Sequence, residues 1–222
     1  TTSGIGGNFT VDDLFSPTDK AIFASSGNLT FTIKGNLQVD GSTAVVTTSS
    51  TAGTSTTINV DGDINVTAAG VLNFSTTVAG GSPPPQGIIN LKGNLNVVGS
   101  GLLQNSNTST LGTFKFTGIG DGLTPATTQT IDIASTSASE NRYINFNITS
   151  GSYVRLINRD FELGTNSGVY VQDGGVFDFG FNGTTPLNVA ISGSQTGTVF
   201  QSLQGSTLKI TSPDGISTTG IT

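Results

Sequence analysis

Along IINLKGNLNVVGSGLL, residues 88–103, Ile89, Leu91, Leu95 and Val97 alternate with Asn90, Lys92, Asn94 and Asn96. A period of two puts successive side chains on opposite sides of an extended chain, so the segment predicts strand with one apolar and one polar side. Gly93 falls in the apolar phase, where the missing side chain lets the chain bend or pack closely. A turn at Gly99-Ser100-Gly101 and a second apolar segment from Leu102 follow. The same order recurs around Gly35, flanked by Phe31, Ile33, Leu37 and Val39, and around Gly62, flanked by Ile58, Val60, Ile64 and Val66. These central glycines are 27 and 31 residues apart. A fourth copy is read at Arg155–Val171, with Ile157, Phe161, Leu163, Val169 and Val171 apolar and Arg159 in place of the glycine.

An imperfect strand–turn repeat of roughly 25–35 residues predicts a solenoid, in which each unit covers the apolar face of the next. The fold expected is all-β, a right-handed parallel β-helix (β-solenoid) of irregular coils, with a β-sandwich as the alternative. No stretch carries a helical period, and two-residue Asn-Gly or Asp-Gly hairpins of the kind that join meanders are not expected. Residues 1–27 read as an N-terminal cap or entry segment, with a short helical turn near Val11–Phe15; 28–211 as coils; and 212–222 as a tail or the start of a further segment. Ala79–Gln86 and Gly118–Thr128 read as projecting loops, the first because its prolines cannot pair in a central strand.

Composition narrows the class. Charged residues make up 10% and hydrophobic residues 34%, yet 13 phenylalanines sit in alternation, which fits an ordered β protein with a thin core better than a disordered chain. The net charge of −6, with basic residues scattered, disfavours nucleic acid and anionic membranes as partners. Cysteine and histidine are absent, so no disulfide forms and thiolate or imidazole metal sites are excluded. No apolar run is long enough to insert in a membrane. The opening TTSGIGG reads like a mature or excised piece of a larger parent chain.

The segments I-N-L-K-G-N-L-N-V, V-D-G-D-I-N-V and T-I-K-G-N-L-Q-V, with their Ser/Thr/Gly-rich turns, resemble bacterial repeat-rich secreted surface adhesins, notably those of the Bacteroidota, and more loosely filamentous-haemagglutinin-type β-helices. The resemblance covers about residues 28–181. It implies a right-handed β-helix, secretion to the cell surface, and an adhesive or structural role.

Candidate chemistry is sparse. Asp40, Asp61 and Asp63 lie near turns, where carboxylates can hold calcium, but they fit no calcium-loop spacing and read first as turn residues. No metal and no cofactor is expected. Asp160, Glu162 and Arg155 are the best cluster for polysaccharide cleavage; Asp160 and Glu162 share one side of a strand, Arg159 points away, and Asp173 and Asp178 lie about one strand on. Their plainer reading is an exterior ion-pair patch. Tyr143, Tyr153 and Tyr170 could stack on glycans, or simply sit half-buried at strand edges. Thr30, Thr32, Thr54 and Thr56 alternate as ice-binding rows would, but the rows stop at Asn90 and Lys92. The function expected is an extracellular structural or adhesive module acting by contact with glycans or another cell surface, with possible self-association. Alternatives are a polysaccharide lyase or glycoside hydrolase and a phage or virus fibre module.

Overall fold

A computed structural model describes residues 2–12, 20–24, 27–41, 45–76, 83–134, 140–197 and 199–211. The chain is a parallel β-solenoid. Two eight-stranded parallel sheets run its length, each strand hydrogen-bonded to its counterpart one coil below and one above. The first face carries Thr2–Ile5, Leu29–Ile33, Ser55–Val60, Gln86–Leu91, Gly112–Phe116, Ile144–Ile148, Gly168–Val171 and Phe200–Ser202. The second carries Phe9–Asp12, Leu37–Asp40, Ile64–Thr67, Leu95–Val97, Gln129–Ile133, Tyr153–Leu156, Val176–Asp178 and Thr207–Lys209. A third face is shorter: Lys20–Ala24, Val45–Ser49, Val71–Ser75 and Leu102–Gln104 form one sheet, and Phe161–Leu163 pairs with Val189–Ile191 higher up. These parallel registers exclude the sandwich.

The alternation in sequence becomes ladders in space. Phe31, Ile58, Ile89, Phe114, Phe146, Val169 and Phe200 stack in one column inside the first face. Leu37, Ile64, Leu95, Ile131 and Leu156 stack inside the second. All but Phe31 and Phe200 are buried in one continuous core. Removing this apolar area from water is the main stabilising contribution.

The glycine repeat marks the corner between these two faces. The strand read through Gly93 is two strands, one on each face. A Cβ at Gly93 would lie 2.4 Å from the Gly62 carbonyl oxygen one coil below, and one at Gly62 would lie 2.8 Å from the Gly35 backbone. Close approach of backbone to backbone is thus what requires glycine here. Beside it runs a capping ladder. The side-chain oxygens of Asn8, Asn36, Asp63 and Asn94 accept the backbone N–H of Asn36, Asp63, Asn94 and Thr130 in the next coil, at 2.9, 2.8, 2.7 and 2.8 Å.

Several expectations change. The copy at Arg155–Val171 is out of register with the others: it starts on the second face, turns at Asn158 and Arg159, and crosses the third face to reach the first. Arg159 is therefore no counterpart of the corner glycine. Of the segment read as a helical turn, Val11 and Asp12 belong to the strand Phe9–Asp12, and residues 13–19 lie outside the described residues. The described part of 1–27 is itself a coil in register with the next. A two-residue hairpin does occur where Phe181–Asn182 pairs antiparallel with Thr185–Pro186, but its turn is Gly183-Thr184 and not an Asn-Gly or Asp-Gly pair. Of the proline loop, 79–82 lie outside the described residues. Pro83 and Pro85 are held to neighbouring coils, their carbonyls accepting Gly53 N–H and the Thr110 hydroxyl. The tail 212–222 is also outside the described residues. Residues 118–128 are a loop, holding a 3-10 turn at Pro125–Thr127, between the first-face and second-face strands of the fifth coil.

Candidate functional site

The outer side of the first face holds a long groove. It has a volume of about 610 Å³ and is lined by Thr32, Lys34, Asn59, Asp61, Asn90, Lys92 and Lys115 among others. Strand register builds it: Thr32, Asn59, Asn90 and Lys115 are partners in four successive coils. The amide of Asn90 donates to Asn59 Oδ1 at 2.8 Å, and that of Asn59 to the Thr32 hydroxyl at 3.3 Å. Asp61 sits between Lys34 at 2.9 Å and Lys92 at 2.8 Å. The ammonium groups of Lys92 and Lys34, hydrogen-bonded to its carboxylate, hold the Asp61 carboxyl below its ordinary range. Lys115 makes no ion pair among the described residues.

The three turn carboxylates do not converge. Asp61 is bridged by lysines, Asp63 caps Asn94 N–H, and Asp40 accepts the Thr67 hydroxyl at 2.7 Å. Among the described residues, no three acidic side chains are placed to hold a metal ion.

The cluster proposed for cleavage divides between faces. Arg155 lies on the second face, partnered in register with Asp178 one coil above; its Nε donates to Asp178 Oδ2 at 2.9 Å. Tyr153 donates to the same oxygen at 2.5 Å and accepts from Lys209 Nζ at 3.0 Å. Lys209 also lies over the tyrosine ring, 4.6 Å from its centre. Burial alone would raise the Asp178 carboxyl, but hydrogen bonds from Tyr153, Gly180 N–H and Arg155 outweigh it and hold the group below its ordinary range. The 118–128 loop covers this knot: a Cβ at Gly122 would strike the Tyr153 ring at 2.3 Å. Tyr153 is 3% exposed, so the cluster is a clasp rather than an open centre.

Asp160 and Glu162 lie on the third-face side, where Asp160 accepts Asn188 N–H at 2.9 Å. Burial, then the negative charges of Glu140 and Asp160, push the Glu162 carboxyl up. Arg159 donates to Asp132 at 2.6 Å. Asp173 is exposed at a corner beneath Gly205.

Tyr143 and Tyr170 share a second groove, of about 200 Å³, with Asn145, Asn166, Gln195 and Thr196. It too lies on the outside of the first face, toward the third. Of the threonine rows, Thr30 pairs with Thr57 and Thr32 with Asn59, whereas Thr54 and Thr56 are buried. Reasoning from sequence missed the lysine groove because Lys34, Lys92 and Lys115 look scattered at 34, 92 and 115. The repeat itself was the available signal, since Lys34 and Lys92 each directly precede a central glycine.

Compared with known proteins, the chain matches no family model, no curated protein and no solved structure.

Proposed function

We propose that this chain is a module of a secreted bacterial surface protein that acts as an adhesive rod, through contact and without chemistry of its own. The observation that carries the reading is the outer surface of the stack. Amide and hydroxyl ladders cover it, as at Thr32–Asn59–Asn90 and Asn65–Asn96, while the carboxylates Asp61, Asp132 and Asp178 are occupied by lysine or arginine. Such a surface is well hydrated and suited to many weak polar contacts along a stiff axis. The resemblance of its repeats to Bacteroidota-type adhesins supports the same reading, as does the lack of oxidisable Cys and Met. The partner expected is another cell surface or its glycans.

The test is retention of beads coated with the purified chain on bacterial and epithelial cell layers, against albumin-coated beads. Specific, saturable retention is expected, and retention equal to albumin would end the reading. A glycan-cleaving alternative has one observation behind it, the raised carboxyl of Glu162 beside Asp160. New reducing ends from a polysaccharide panel, abolished by Glu162→Gln, would replace adhesion with hydrolysis.

A further inference from the structure

The two grooves on the first face belong to one surface. Lys115 lines the larger groove and Tyr170 the smaller, and Asn147 stands between them in register, partnered with Lys115 below and Tyr170 above. From Thr32 to Tyr170 this column crosses six successive coils at about 4.8 Å each, roughly 24 Å of continuous sheet exterior. Its two ends differ in chemistry. The lower end has three lysines around one aspartate, a local positive excess in a chain of net charge −6. The upper end has two tyrosines among the polar side chains of Asn145, Asn166, Gln195 and Thr196.

We propose that this surface binds one strand of an anionic polysaccharide laid along the solenoid axis. Lys92 and Lys115 face its acid groups, Asn59 and Asn90 its hydroxyls, and the Tyr143–Tyr170 groove receives a sugar ring against an aromatic face. The ligand is a glycan because the lysine groove is walled by amides and hydroxyls, which pair with the hydroxyls of a sugar chain. It is anionic because the lysines outnumber Asp61. An extended polymer fits because the groups repeat coil by coil and no enclosed pocket is needed. The inference rests on the adhesive reading and names its ligand class.

The experiment is calorimetric titration of the full chain with four probes: polygalacturonate, its methyl ester, dextran sulfate and dextran. Each is run at low and high salt. Polygalacturonate or dextran sulfate is expected to bind, their neutral counterparts at least tenfold more weakly, and binding is expected to fall steeply with salt. Whichever anionic probe binds more tightly assigns the acid group as carboxylate or sulfate. K92Q/K115Q is expected to weaken binding at least tenfold with only a small shift of the melting curve, because both side chains are on the outside and the Lys92–Asp61 pair is solvent-exposed. Tyr170→Phe keeps the ring and is expected to stay within about threefold; Glu162→Gln, on the third face, is expected to change nothing. No binding of either anionic probe, equal binding of the neutral ones, or binding indifferent to K92Q/K115Q would overturn the proposal. If coated beads still adhere to cells under those outcomes, the adhesive reading stands and only the site falls. If neither occurs, both fall.

Discussion

The second to fourth coils, Leu29 to Gln104, and the fifth to seventh, Gly112 to Ile191, solve the same stacking problem by different means. In the lower region every coil turns its first corner on a Gly-Asn or Gly-Asp pair, and small repeated ladders fix the register. In the upper region that corner is rebuilt. A loop enters at 118–128, Gln129 turns inward to bond the carbonyls of Leu91 and Gly93 at 3.0 and 2.9 Å, and a clasp of Tyr153, Arg155, Asp178 and Lys209 closes the outside. The core changes with it: Phe114 and Phe146 replace Ile58 and Ile89 in the same column, their rings 5.9 Å apart. Regular coils derive their order from repetition, and irregular ones from specific bulky and charged contacts. The first kind of stability is spread over many small contributions. The second is concentrated in a few side chains.

That contrast can be broken most sharply at Phe114, fully buried between Phe74 and Phe146. Phe114→Ala is expected to destabilise the chain by about 3–5 kcal/mol, read by denaturant unfolding. An effect under 1 kcal/mol would mean the upper core does not depend on its aromatic column.

Asp178→Asn comes next, at about 2–3 kcal/mol, because the neutral amide loses the charge that pairs with Arg155 and keeps one acceptor oxygen where Tyr153, Arg155 and Gly180 N–H now share two; the partly exposed arginine keeps the figure below that of a fully buried pair. Hydrogen exchange locates the damage: faster exchange is expected around 118–128 and 153–209, with 58–97 unaffected. The carboxyl has a lowered folded value, so its stabilisation is present above the unfolded value of about 3.9 and is lost as pH falls through the folded one. Acid unfolding should therefore begin in the upper coils and be blunted in D178N. Glu162 has the opposite sign: its raised carboxyl disfavours the charged form, so protonation removes a destabilising charge as pH falls through the folded value.

In the lower region Gly93→Ala is expected to cost about 1–3 kcal/mol by driving a methyl into the Gly62 carbonyl, with exchange rising near 58–97 instead. The smallest effect expected is Asn36→Ala, about 1 kcal/mol, since one cap in a ladder of four is lost. If N36A proved as damaging as D178N, the ladder would be a keystone and the contrast between the regions would disappear.

The lower region was legible because its coil length hardly changes, so like residues recur at like positions. Ile89, Leu91, Leu95 and Val97 point inward as their alternation predicts. The Arg155–Val171 copy was misread for a physical reason. An apolar alternation looks the same on every face, and nothing local says which face a strand occupies once an insertion has shifted the count. For the candidate sites, spacing placed Asp178 about one strand beyond Arg155, but not the shared oxygen, nor the loop that buries Tyr153 beneath Gly122.

Sequence by itself determined that the chain forms short strands with one apolar side, that glycine is needed where coils turn, and that stacking is the way to bury those apolar sides. Those are consequences of side-chain period, backbone sterics and hydration, all local. Only the tertiary structure decided which polar side chains become neighbours. Lys34, Asp61 and Lys92 are far apart along the chain and adjacent across it, because parallel register brings each coil to within one strand spacing of the next.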